Sequence, residues 1–335
     1  MSIRVLHVGL GPIGAAVVRQ VAARKGLKIV GAVDIDAAKV GRDLGEVAGV
    51  GRKLSVKVME DVRKAIKATK PDVAVLCTSS SLKKVVPEFE EVLKLKIPIV
   101  STTEELAFPT SGNNRWARAI HNAALKGKVA VLGTGVNPGF TMDALPLALT
   151  AVCERVESIE VDRVQDARIR RLPFQQKIGA GLTKAQFQAK VENTSVRHVG
   201  LAESISMIAH GLGWKLDRIT DEIKPKIARE QVSSEFLTVE AGQVCGLVQD
   251  GVGYRDGKPV ITLHMEAYLG APESYDAVRV KGSPNINSRI TGGVHGDVAT
   301  ASMVVNSIPL VLEVKPGLHT MLDMPLPHFF GGAGA

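Results

Sequence analysis

The chain has 335 residues, 45% of them hydrophobic and 23% charged, with a net charge of +8 at pH 7. That length suits two domains, and the apolar content excludes an intrinsically disordered chain. The three cysteines, Cys77, Cys153 and Cys245, are too scattered for a disulfide framework, and basic residues interleaved with acidic ones, as over 163–171, read as a solvated surface with no nucleic-acid partner.

Residues 3–8 form a β-branched run expected as a strand, followed by a helix through 17–23. Further strands are expected at 28–33, 56–58, 73–77, 97–100 and 129–132, with helices at 62–68, 82–93 and 113–125 between them. This alternation implies a Rossmann-type, doubly wound parallel sheet. The rhythm changes after Gly133. Helices are expected at 144–152, 184–192 and 202–212, and strands at 156–164, 235–248, 259–269 and 275–280, an antiparallel α+β pattern. A last helix over 297–306 precedes a glycine-rich tail, 331–335, expected to fray. The chain thus divides into a dinucleotide-binding domain (1–140), an α+β domain (141–295) and a C-terminal segment (296–335). No stretch approaches the about 18 apolar residues of a membrane span, and the start lacks a secretion-signal pattern. A cytoplasmic protein without a membrane partner is expected.

Gly9-Leu10-Gly11-Pro12-Ile13-Gly14 follows the first strand and opens a helix, with Asp34 about 20 residues on. Such glycines permit a tight turn and close approach of pyrophosphate to the helix start. Asp34 can accept hydrogen bonds from ribose hydroxyls and would repel a 2′-phosphate, so NAD is expected ahead of NADP. Lys39 and Arg42 keep NADP open. Thr78, Ser79 and Ser80 follow the fourth strand, where hydroxyls can approach the cofactor or cap the helix from Leu82.

The fifth strand ends in Ser101-Thr-Thr-Glu104-Glu105-Leu106, at the sheet edge where chemistry occurs. Ser101 with Glu104, and Thr102 with Glu105, each fit a capping box, and only one register can form. Gly133-Thr-Gly-Val136-Asn137-Pro-Gly139-Phe140 follows the sixth strand as a rigid loop at the same edge. Asn137 offers an amide toward the cofactor. Val136 and Phe140, with Arg168, Phe174 and Gln175 further on, are candidate substrate-pocket residues. Arg168 or His198 would suit a second polar group on the substrate. The remaining histidines, including His264 and His295, read as structural, and Asp297 as the cap of the last helix. No H-E-x-x-H or clustered Cys/His pattern suggests a metal.

Ser101-Thr-Thr-Glu-Glu-Leu, Gly133-Thr-Gly-Val-Asn-Pro-Gly-Phe, Gly296-Asp-Val-Ala-Thr-Ala and Pro316-Gly-Leu-His-Thr-Met-Leu-Asp-Met-Pro together resemble the 2,4-diaminopentanoate dehydrogenases and native amine dehydrogenases. The wider relationship is to dihydrodipicolinate reductase-like oxidoreductases, whose histidine-pair and Lys-x-Asp-x-Pro-Ser-Gly signature is missing. The resemblance implies NAD(P)-dependent, reversible oxidative deamination of an amine or diamine to a carbonyl compound and ammonia. It places the catalytic carboxylate on Glu104, and implies a homodimer and a C-terminal helix returning to the cofactor domain. A dehydrogenase of an amino acid, aldehyde or hydroxy acid, and a dinucleotide sensor without turnover, are the competing readings.

Overall fold

The computed structural model describes residues 2–331, so the expected fraying falls almost wholly outside them. Two compact units are present: Met1–Phe140 with His295–Ala335, and Thr141–Val294.

The first unit holds β1 (Ile3–Val8), β2 (Leu27–Val33), β3 (Val58–Met59), β4 (Val73–Leu76), β5 (Ile99–Ser101) and β6 (Ala130–Gly133). With the C-terminal strand Gly317–His319 they form one sheet, in the order Gly317–His319, β6, β5, β4, β1, β2, β3. Every pairing is parallel, as the doubly wound reading requires. β4 is Val-Ala-Val-Leu and wholly buried, the composition of a strand covered on both faces. Leu6, Leu76, Phe89, Ile99 and Val131 share one core, each contributing roughly 1.5–3 kcal/mol by burial.

Gly317–His319 is too short to announce itself by alternation; it is placed by pairing with β6. The last helix, Gly296–Val311, outruns the expected 297–306, because Pro309 lies inside it without ending it. His295, not Asp297, caps it: the His295 ring accepts a hydrogen bond from the Val298 N–H at 3.5 Å. Gln20, on the helix Pro12–Ala23, donates to Val298 O and Ser302 Oγ at 3.1 Å, fastening the two helices.

The second unit contains β7 (Arg155–Asp166), β8 (Arg218–Ile227), β9 (Val232–Ser233), β10 (Thr238–Val239), β11 (Val244–Arg255), β12 (Lys258–Tyr268), β13 (Tyr275–Ser283) and β14 (Ile286–Thr291). The six-stranded sheet runs β14-β13-β7-β12-β11-β8, and β9 and β10 form a separate ribbon. β7 and β12 are parallel, so the sheet is mixed where the sequence suggested an antiparallel one. The expected strand 235–248 is two strands, broken at a turn where Gly242 has φ +86° and Gln243 N–H donates to Glu240 O. β8 escaped notice because it is an edge strand, rich in charge and carrying Pro225. The helix Leu201–Gly211 packs Leu201, Ile205 and Ile208 against Ile159, Val161, Leu263 and Val278 on one face of the sheet. Along β7 that inward face continues from Ile159 and Val161 to Arg163 and Gln165, so its apolar core passes into a polar end.

Candidate active site

Gly9 stands at φ +89°, and a Cβ there would lie 2.6 Å from Cys77 O. The loop therefore presses directly on the end of β4. A Cβ at Gly14 would lie 1.9 Å from Gly9 O, so only glycine permits this helix–loop contact. Above Gly11 the space is open: a Cβ would meet nothing within 4 Å. Gly11 supplies no side-chain cap, and Pro12 at the first turn has no N–H to satisfy. The N–H groups of Ile13 and Gly14 complete an uncapped helix start beside open space, which fits a pyrophosphate.

Asp34 is buried at the end of β2, where its carboxylate accepts hydrogen bonds from Leu10 N–H at 2.6 Å, Asp36 N–H at 2.9 Å and Lys39 Nζ at 3.3 Å. Burial opposes its charge, but these donors outweigh burial and hold its pKa below the usual carboxylate range. Lys39 also pairs with Asp36 at 3.3 Å. The chain thus has a fixed carboxylate at the end of β2 with a cation beside it.

At the next strand ends, Thr78 Oγ1 donates to Glu88 at 2.7 Å, and the Ser79 hydroxyl accepts from Ser81 N–H at 3.2 Å. Ser80 O accepts from Glu105 N–H. None of the three hydroxyls caps the helix Leu82–Lys94: its first N–H, that of Leu82, donates to the Glu105 carboxylate at 2.7 Å. Neither expected capping box forms. The short helix Glu104–Ala107 begins after Thr103, which makes no side-chain cap, and Ser101 turns its hydroxyl to Leu76 O at 3.0 Å.

The two glutamates are thereby separated. Glu105 is consumed at a helix start, where a negative charge is favourable. Glu104 is half-buried and, among the described residues, makes no side-chain hydrogen bond or ion pair. Its charge reaches Cys77 at the end of β4: burial first, then Glu88 and Glu104, push the Cys77 thiol up to about 12, against a hydrogen bond from Thr102. Cys77 is therefore a neutral wall and not a nucleophile.

The loop after β6 is close-packed. A Cβ at Gly139, whose φ is +132°, would lie 2.5 Å from Gly135 N and O. Val136 and Asn137 are buried and Phe140 is half-buried; Val136 N–H donates to Thr300 Oγ1 at 3.3 Å on the last helix.

In the second unit, Arg168 lies at the surface and its partner is local. It lies 47% exposed and ion-paired to Asp166 at 2.6 Å. Gln175 is fully buried, its amide donating to Arg170 O at 2.7 Å and Ala167 O at 3.0 Å and accepting from Ser234 Oγ, so it works as an internal staple. Phe174 is half-buried beneath the Arg170 guanidinium, 4.0 Å from its ring centre.

Two of the cations that sequence reading assigned to solvent, Arg163 and Arg170, are inside. Arg163 is only 2% exposed; its guanidinium donates to Asp276 at 2.7 Å, Thr141 at 3.0 Å and Val294 O at 2.8 Å. Arg170, also buried, donates to Gln165 at 2.8 Å. The missed signal was period two: Arg163 falls on the face of Ile159 and Val161. His198 stands among these cations, its backbone clamped by the Gln249 amide at 2.9 and 3.0 Å. Its Nε2 is buried without a hydrogen-bond partner. Burial, then Lys177, Arg163, Arg197 and Arg170, push it down to about 3.

That shift has a sign. The unfolded chain takes up the His198 proton near pH 6.5, well before the folded one does. The stabilisation from neutral His198 is complete above that pH and declines as pH falls toward 3. We expect His198→Gln to lessen the stability lost between about pH 7.5 and 4.5 by up to about 2 kcal/mol in urea unfolding. An unaltered loss would show that His198 keeps an ordinary pKa.

Among the described residues, no His, Cys, Asp and Glu side chains cluster in threes to hold a metal, and no helix is long and apolar enough to cross a membrane.

Comparison with known proteins adds a family to this geometry. Residues 140–333 match the family model of the 2,4-diaminopentanoate dehydrogenase C-terminal domain, and residues 3–107 that of the dihydrodipicolinate reductase N-terminus. The chain is 34% identical to 2,4-diaminopentanoate dehydrogenase of Acetoanaerobium sticklandii, over 99% of this chain and 96% of that protein. It is 22% identical to an amine dehydrogenase of Streptomyces virginiae, over 97% of each. The solved amine dehydrogenase of Mycobacterium smegmatis shares the fold with a TM-score of 0.87, at 23% identity, over 98% of each chain. With a dinucleotide-type loop at one end of the chain and that C-terminal domain over the rest, the chain belongs to the 2,4-diaminopentanoate dehydrogenase family of oxidoreductases acting on amines.

Proposed function

We propose that this chain is an NAD(P)-dependent amine dehydrogenase that reversibly deaminates a carboxylate-bearing amine of the 2,4-diaminopentanoate type. The observation that carries the reading is the division of labour between adjacent glutamates: Glu105 is bound at a helix start, and Glu104 is left unpaired beside Cys77 at the carboxyl edge of the sheet.

The glycine loop and Asp34 would hold the dinucleotide, with Thr78, Ser79, Ser80 and Asn137 toward its nicotinamide end. A bound nicotinamide would supply the acceptor for the hydride of the amine-bearing carbon. The carboxylate of Glu104 stabilises the positive charge of the resulting iminium ion, then takes a proton from water as it adds. The same group returns that proton to the nitrogen, and as the C–N bond breaks and ammonia leaves it accepts the proton of the new hydroxyl, which becomes the carbonyl. In reverse, it stabilises the iminium formed from carbonyl compound and ammonia. Val136 and Phe140, on the loop after β6, would supply apolar surface for the substrate's carbon chain.

The relative 2,4-diaminopentanoate dehydrogenase supports a carboxylate-bearing diamine as the substrate class. We extend the proposal, following the family, to a homodimeric cytoplasmic enzyme that prefers NAD to NADP through Asp34.

A substrate panel tests this. NADH formation with diamino acids should exceed that with alkyl amines of equal length, and rise toward alkaline pH, because only the neutral amine gives up hydride and alkyl ammonium groups titrate near about 10–11. Turnover confined to alcohols or aldehydes would overturn the reading, as would dinucleotide binding without turnover of any amine. Tighter titration by NADP than by NAD would overturn the cofactor preference.

A further inference from the structure

His7 lies within β1, directly beneath the glycine loop, and is 1% exposed. Its Nε2 is 3.0 Å from Gly9 O, and its Nδ1 is buried with no partner. Burial pushes its pKa down to about 4, so the ring is neutral and carries a single N–H. Facing a carbonyl, Nε2 must hold that hydrogen; Nδ1 is then a bare lone pair, a cheaper orphan than a buried N–H.

The Gly9–Leu10 peptide is fixed at both ends by side chains. His7 holds its carbonyl inward, against Gly14, where a Cβ would come within 2.8 Å of Nε2. Asp34 holds its N–H at 2.6 Å. Because residue 9 is glycine, the peptide can otherwise rotate freely. A flip would withdraw the N–H from Asp34 and turn the Gly9 carbonyl oxygen toward the Asp34 carboxylate, which it repels and displaces.

We propose that His7 is a positioning residue for the dinucleotide: its Nε2–H locks the Gly9–Leu10 peptide, and through it orients the Asp34 carboxylate before the cofactor arrives. The inference rests on the dinucleotide reading of the loop. Without His7 the Gly9 carbonyl is left buried and unpaired, so the flipped peptide gains population at the expense of binding.

The test compares His7→Gln, whose amide nitrogen reaches about as far as Nε2, with His7→Leu, which has no donor. Two quantities are measured on each full-length chain: the exchange rate of the Leu10 amide in 15N-leucine-labelled protein without cofactor, and the dissociation constant for NAD by calorimetry. We expect wild type and His7→Gln to agree within about threefold in both, and His7→Leu to exchange and dissociate roughly tenfold or more faster and weaker, respectively. An unchanged His7→Leu overturns the proposal, as does loss of Leu10 protection with unaltered NAD affinity, or failure of Gln to rescue. Failure of wild type to bind either NAD or NADP would instead overturn the dinucleotide reading and carry this proposal with it; it is read on the unaltered chain, so the two failures are distinct. Should His7→Leu not fold, long-range 1H–15N correlation of the wild-type imidazole decides: an Nε2–H tautomer supports the lock, and an Nδ1–H tautomer overturns it.

Discussion

Replacing Glu104 with Gln is expected to lower kcat for amine oxidation by roughly a hundred- to ten-thousandfold, while NADH affinity, followed by fluorescence, stays within about twofold. Gln has the size and hydrogen-bonding reach of Glu but neither its charge nor its basicity. The loss therefore reports charge stabilisation and proton transfer, not packing. Glu104→Ala should be at least as inactive. Glu105→Gln supplies the internal control. It removes a charged acceptor from Leu82 N–H at a helix start, costing on the order of 1 kcal/mol of stability, and should leave kcat within a few fold. If Glu104→Gln and Glu104→Ala both turn over at near wild-type rates, or if the Glu105 variant is the inactive one, the assignment of the catalytic carboxylate is wrong. This comparison is sharper than either variant alone, because the two residues are adjacent in sequence and differ only in what their side chains meet.

Arg163→Met is expected to cost about 3–5 kcal/mol of stability, lowering the Tm of the second unit by on the order of 10 °C. The side chains of Arg163 and Asp276 are 3% and 2% exposed and lie 2.7 Å apart. Burial lowers the pKa of Arg163 and raises that of Asp276, and each charge persists through the other. Removing the guanidinium leaves Asp276 buried and charged without its counter-ion, keeping Val294 N–H at 2.7 Å, or forces it to take a proton. It also strips a donor from Val294 O, which retains one from Gln165 at 3.1 Å. The double variant Arg163→Met/Asp276→Leu should regain much of the loss, because a fully apolar pair has no charge to desolvate. Calorimetric or urea unfolding of the three variants checks this. A single variant within about 1 kcal/mol of wild type would mean that water or relaxation already satisfies Asp276.

Local information in the sequence settled the first unit. Its strands are runs of Val, Ile, Leu and Ala buried on both faces, and the glycine loop gives itself away through spacing alone, since a tight turn, an uncapped helix start and a distant carboxylate are features of neighbouring residues. It also identified the Glu104–Glu105 pair as the place to look, and family signatures along the chain named the chemistry. Residue spacing alone did not separate the two carboxylates, and the choice of Glu104 came from the family resemblance. Capping-box spacing offered both a local partner, but the partner Glu105 takes is Leu82 N–H, brought alongside by a different strand–helix turn. The same limit explains Arg163 and Arg170. In a charged stretch each looks solvated, and only the pleat of β7, pairing with β12 and β13, turns Arg163 inward to meet Asp276, whose position far along the chain no local pattern reveals. The strand Gly317–His319 and the cap made by His295 were likewise fixed by what lay beside them. Periodicity reports which face a residue can show; which partner waits on that face is a long-range fact, decided when the chain closes on itself.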